Sequence, residues 1–207
     1  MSRKLRWGAV AAVLPALLFS WGGSFSAVAA PAAQPAAQTW TAMTGAEIFT
    51  EPGEKSSWQA FKFYPQSITI NAGDTITWKH NAGVEPHTVT FLGPDGKRPE
   101  DIMPEGPPQG NQPPRIILAP NVAFAQGGNT YDGSAYVNSG VIAAGNPGPQ
   151  EFSVTFPKAG TYNYICVLHS AQLPDGTILG MKATVVVQAA GSALAKTPAQ
   201  VEYAPVR

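Results

Sequence analysis

The chain has 207 residues, 13 basic and 13 acidic side chains, three histidines and one cysteine. Its sparse, balanced charge lacks the clustered Lys and Arg that phosphate backbones require, so nucleic acid is not an expected partner. A single cysteine excludes an internal disulfide.

Residues 1–30 read as a secretory signal peptide: a basic start at Arg3, Lys4 and Arg6, an apolar run from Val10 to Phe19, then small residues at Ala27-Val28-Ala29-Ala30. The run is short for a bilayer span, and an uncleaved N-terminal anchor is the alternative. No later stretch is apolar enough to cross a membrane, so no transmembrane segment is expected in the mature chain. Removing the signal leaves ten basic against thirteen acidic residues, a net of −3, in about 177 residues. That length suits one domain with a sizeable core. The reading places the protein in a periplasm or outside the cell.

Residues 31–45 are read as a flexible lead-in and 46–189 as the domain. Ser67-Ile68-Thr69-Ile70 alternates polar with apolar, Asn71-Ala72-Gly73-Asp74 turns, and Thr75-Ile76-Thr77-Trp78 resumes the period of two. His87 to Phe91, Glu151 to Phe156, Thr161 to Cys166 and Lys182 to Gln188 are further strand candidates. Short strands between Gly/Pro turns predict an all-β fold, an antiparallel Greek-key β-sandwich. The Pro-, Gly- and Asn-rich stretch 93–149 fits less easily and is read as a long loop insertion, with short strand candidates at Arg115 to Leu118 and Ser134 to Val137. Residues 190–207 read as a loosely attached tail.

An unpaired thiol in an oxidising compartment needs a reason. Cys166 closes a strand-like run, and a free cysteine is most often a small buried hydrophobe. His169, three residues on, allows a tight loop to aim both donors at one point, although Cys-x-x-His also occurs by chance and in zinc sites. His87 opens a strand after the loop Asn81 to Pro86; the bland reading is a hydrogen-bonded surface imidazole. His80 lies outside the apolar pattern and reads as a solvated loop residue. Met181, ahead of a valine run, is ordinarily core, but Gly180 allows a turn that presents its sulfur instead. A thiolate, a thioether and two imidazoles together suit a copper ion cycling between Cu(I) and Cu(II).

Asn81-Ala82-Gly83-Val84-Glu85-Pro86-His87-Thr88-Val89-Thr90-Phe91 resembles the first-histidine loop of plastocyanin/azurin-like blue copper (type 1) proteins, the cupredoxins. Gly160 to His169, with Gly180-Met181-Lys182 and the valine strand, resembles their second ligand segment, and the Gly-Asp turn at 73–74 matches as well. The resemblance covers residues 58–92 and 150–188. It implies a cupredoxin fold and one copper held by His87, Cys166, His169 and, axially, Met181. It also implies that Thr88 offers its backbone N–H to the Cys166 sulfur. The ring of His169 would be the electron exit, within an apolar rim of Val167, Leu168, Leu173, Pro174, Ile178 and Leu179. The chain departs from the family in the eleven residues Ser170 to Gly180, where a few are usual, and in the long middle insertion.

The function expected on this resemblance is one-electron transport between transient protein partners, such as a cytochrome or a copper enzyme, by a monomer. The alternative is a copper-binding or delivery module with no electron-transfer role. An enzyme is not expected: copper oxidase or nitrite reductase chemistry needs a second metal centre, and beyond His87 and His169 only His80 remains.

Overall fold

The alternation read from the sequence builds two facing sheets in the computed structural model, which describes residues 36–48, 58–81, 83–107, 110–145 and 150–201. The expected signal peptide, 1–30, lies outside these residues. The elements in chain order are β1 (Thr39–Ile48), β2 (Trp58–Tyr64), β3 (Ser67–Asn71), β4 (Thr75–His80), β5 (Thr90–Phe91), β6 (Ile102–Pro104) and β7 (Ile116–Leu118). A four-residue helix α1 (Pro120–Ala123) follows, then β8 (Ala125–Gln126), β9 (Val137–Ser139), β10 (Glu151–Thr155), β11 (Gly160–Gln172) and β12 (Ile178–Gln188). One sheet has the order β10-β4-β1-β2 and the other β3-β12-β11-β5-β9-β8; β6 and β7 form a separate ladder. The inward residues of both sheets share one core, in which Trp78 meets Phe91 and Tyr164 at ring-centroid distances of 5.8 and 5.2 Å. The protein is a β-sandwich.

Its sheets are mixed rather than wholly antiparallel. β1 runs parallel to β4, and β12 parallel to β3. The strand, turn and strand at 67–78 is therefore an arch and not a paired hairpin: β3 lies in the six-stranded sheet and β4 in the four-stranded one. The buried Asp74 carboxylate holds this crossing. It accepts hydrogen bonds from the Gln38 N–H at 2.7 Å, the Trp40 indole at 2.9 Å and the Asn71 N–H at 3.0 Å.

Three boundaries differ from the sequence expectation. Residues 39–45, assigned to the lead-in, form most of β1, a central strand whose Trp40, Ala42, Thr44 and Ala46 all point inward. Alternation is present there, but small residues give it little apolar contrast. The tail is docked as far as residue 201: Leu194 and Val201 pack on the core, and the Asn71 side-chain amide donates to the Ser192 carbonyl at 2.9 Å.

The 93–149 segment is partly woven into the fold. β9 pairs with β5 and with β8, extending the six-stranded sheet. Asn138 on β9 secures the turn around α1, its amide nitrogen facing the carbonyls of Asn121, Val122 and Phe124 at 3.0–3.2 Å. Ala119 and Val122 then cover Ile165 and Val167 on the outer face of β11, making a second small core.

Replacing Asp74 with Ala should cost about 3 kcal/mol of unfolding free energy, because two buried donors and a half-buried one lose their acceptor together. Asp74→Asn keeps an acceptor oxygen and should cost less. Urea unfolding of both variants measures the difference, and equal costs would remove the carboxylate from this role.

Candidate metal centre

Strand pairing explains why His87, Cys166 and His169, dispersed in sequence, meet, and why Met181 is buried in the same core as Cys166. On β11 the inward positions are Tyr162, Tyr164 and Cys166; on β12 they are Met181, Ala183, Val185 and Val187. The two strands pair regularly as far as Ile165 with Lys182, and pairing resumes at Ser170 with Gly180. The four residues 166–169 thus stand opposite the single residue Met181. This is a bulge, which bends the strand and re-aims its side chains. It returns the His169 ring toward the Cys166 thiol, with Cys166 Sγ 3.4 Å from His169 Nδ1.

His87 arrives from the neighbouring segment. Its backbone N–H donates to the Ile142 carbonyl at 2.9 Å, and its carbonyl accepts from the Ile142 N–H at 2.8 Å. The buried ring puts Nδ1 3.7 Å from Cys166 Sγ. One donor atom from each of His87, Cys166 and His169 lies within 4.8 Å of the other two. Donors about 2.0–2.3 Å from a common ion, opened by 110–120°, stand about 3.3–4.0 Å apart, so the two sulfur–nitrogen spacings fit a bound ion. Met181 is buried in the same core cluster as Cys166.

The expected sulfur hydrogen bond is present: the Thr88 N–H donates to Cys166 Sγ at 3.3 Å. The Thr88 hydroxyl adds a link that sequence reading missed, accepting from the Val167 N–H at 2.9 Å. Burial pushes the Cys166 thiol pKa up, opposed mainly by the Thr88 N–H. Burial, with the nearby His169 and His80, pushes His87 down to about 3. His87 is accordingly a neutral imidazole, and the thiol must release its proton when a metal takes its sulfur.

The surroundings of His169 differ from the apolar rim expected. Val167 is fully buried in the second core, with Leu168 and Ile178 packed against it, while Leu173 and Leu179 are exposed. The groups on the His169 ring are Phe61, stacked at 4.2 Å and 12° between planes, and Glu85, whose Oε1 lies 2.9 Å from Nε2. Neither was singled out from the sequence, although Glu85 lies in the loop leading to His87. His80, read as a solvated loop residue, ends β4, and its Nε2 lies 2.8 Å from the Glu85 carbonyl.

The loop between His169 and Met181 is resolved by pairing. Ser170, Ala171 and Gln172 match Gly180, Leu179 and Ile178, so the extra length doubles back as a hairpin. Gly180 closes it at φ +86, where a Cβ would strike the His169 carbonyl.

A family model described as copper binding proteins, plastocyanin/azurin family, matches residues 53–188. The chain belongs to this family. Copper is thus its cofactor. A plastocyanin of Scenedesmus fuscus is 33% identical over 129 residues, covering 62% of this chain and 89% of that protein. A chloroplastic plastocyanin of Tetradesmus obliquus is 28% identical over 129 residues, 62% of this chain and 60% of its own. Among solved structures, a Cu(I) amicyanin variant aligns with a TM-score of 0.36 and 19% identity, over 72% of this chain and 82% of that one.

Gly180 and Gly176 share φ +86, but only Gly180 has a backbone atom in the path of a Cβ. Both Ala variants should lose about 1–2 kcal/mol to backbone strain. Gly180→Ala should lose more and shift the visible spectrum of the copper-loaded protein, whereas Gly176→Ala should leave the spectrum alone. Matching thermal unfolding and spectra for the pair would show that the close approach at Gly180 is unimportant.

Proposed function

We propose that this protein is an exported one-electron carrier whose single copper is held by His87, Cys166, His169 and Met181. The observation that carries this reading is the buried meeting of one thiol and two imidazoles, with the Thr88 N–H on the sulfur and Met181 opposite the bulge. Such a donor set suits a copper ion that alternates between Cu(I) and Cu(II). The protein's part is to hold the donors still. His87 is fixed by its backbone pairing with Ile142, Cys166 by Thr88, and His169 by its bulge and its ring contacts. Little rearrangement on gaining or losing an electron favours fast exchange with transient partners, and a cytochrome or a copper enzyme would suit.

His169 is the donor nearest the surface, its side chain 14% exposed against a fully buried His87. Electrons would pass through its ring and through Phe61 stacked on it. The reading is a carrier rather than an enzyme, because a second copper centre would need histidines beyond the three in the chain. Among the described residues no helix is long and apolar enough to cross a membrane. Export rests on the N-terminal sequence pattern, and the carrier is read as a monomer.

Mature protein loaded with Cu(II) should show an intense thiolate-to-copper visible band that reduction bleaches. Cys166→Ser should abolish the band, and its survival would remove the thiolate from the site. A colourless wild-type protein would overturn the carrier reading in favour of a copper-delivery role. Met181→Leu should keep the colour and raise the reduction potential in voltammetry; an unchanged potential would make Met181 a packing residue.

A further inference from the structure

The ligand ring nearest the surface is not free. Its Nε2 lies 2.9 Å from Glu85 Oε1, with side-chain exposures of 14% for His169 and 32% for Glu85. The contact joins residues 84 apart in sequence and is held from both ends. On the Glu85 side, His80 Nε2 donates to the Glu85 carbonyl at 2.8 Å, and two residues later His87 is clamped to Ile142. On the His169 side, Phe61 stacks on one face at 4.2 Å and the His87 ring lies 4.9 Å away. All three histidines of the chain therefore converge on this loop, one of them with no place in the donor set.

A carboxylate on the distal nitrogen of a metal-binding histidine fixes its tautomer and its ring plane, and makes the ligating nitrogen more basic. With Nε2–H donated to Glu85, the lone pair of His169 sits on Nδ1, the atom 3.4 Å from Cys166 Sγ. A more electron-rich nitrogen stabilises Cu(II) more than Cu(I). We propose that Glu85, itself located by His80, is a positioning residue that holds the His169 ring and lowers the reduction potential of the copper centre. The inference rests on the copper reading above. It gives His80 a task in the fold and makes the electron exit a capped imidazole, reached through Phe61 and Glu85.

The test compares full-length wild type with Glu85→Gln and Glu85→Ala. Removing the charge should lower Cu(II) affinity relative to Cu(I) by about tenfold or more. Each tenfold raises the potential by about 59 mV for a one-electron couple. Glu85→Gln, which keeps an acceptor oxygen, should fall between wild type and Glu85→Ala. In metal-free protein, nitrogen NMR of the His169 ring should show the Nε2–H tautomer in wild type and a mixture in Glu85→Ala. Potentials equal to wild type in both coloured variants, with only stability reduced, would make the contact structural and overturn the proposal. A wild-type protein lacking the visible band would instead sink the copper reading, and this inference with it.

Discussion

Thr88 is the residue on which the centre depends, because it ties the two halves of the site across 78 positions of sequence. Its N–H points at the Cys166 sulfur and its hydroxyl accepts from the Val167 N–H. That hydroxyl lies 3.0 Å from Thr90 Oγ1, which donates to Asn138 Oδ1 at 2.8 Å, so the proton of Thr88 is directed to Thr90. All these groups are buried, and a buried donor or acceptor left without a partner costs about 1–3 kcal/mol. A displacement of Cys166 would break the whole series, not one contact. The thiol position is therefore specified by hydrogen bonds that do not involve a metal.

The same series explains how the middle segment serves the site. Asn138 holds the turn of α1, and α1 lays Val122 against Ile165 and Val167. Along β11, Thr161 and Asn163 face outward to solvent, yet from Ile165 to Val167 both faces are buried. Tyr164 and Cys166 point into the sandwich, and Ile165 and Val167 point into the second core. Arg98 adds a further strap, donating from its guanidinium to the Val167 carbonyl at 2.7 Å and pairing with Asp101 at 3.2 Å. A bulge is ordinarily a place where a ladder is interrupted and open. Here it is enclosed, and an enclosed thiol with a raised pKa stays protonated until a metal displaces the proton.

Sequence reading found the β-sandwich and the three donors that meet, because these rest on local signals: period-two alternation, and Cys and His next to strand ends. It missed β1 because Ala42, Thr44 and Ala46 alternate inward without apolar bulk. The 93–149 segment reads as a loop insertion with strand candidates at 115–118 and 134–137, which β7 and β9 meet at least in part, but β8 and β9 are only two and three residues long, too short to show a period. The rim around His169 was misplaced for a different reason. Val167, Leu168 and Ile178 are apolar, but strand alternation sends Val167 to the opposite face from Cys166, and Leu168 and Ile178 pack against the second core. Phe61 and Glu85 reach His169 through tertiary folding from 108 and 84 positions away, and no spacing rule carries that.

The eleven residues between His169 and Met181 looked like the feature most apt to disturb the site, and pairing shows why they do not. The register of β11 and β12 below the bulge, from Gly160 with Val187 to Ile165 with Lys182, sets where Cys166 and Met181 enter the shared core. Above the bulge the strands close again at Ser170 and Gly180, and everything beyond is a hairpin whose length does not enter the geometry beneath it. The bulge itself sets the approach of the candidate donors Cys166 and His169: four residues against one, sealed by a glycine that alone can lie against the His169 carbonyl. Loop length can therefore vary outside the Ser170–Gly180 pair at little consequence, since closing a longer loop costs only about 0.6 kcal/mol per doubling. A change of one residue inside that pair would move either His169 or Met181 to the wrong face.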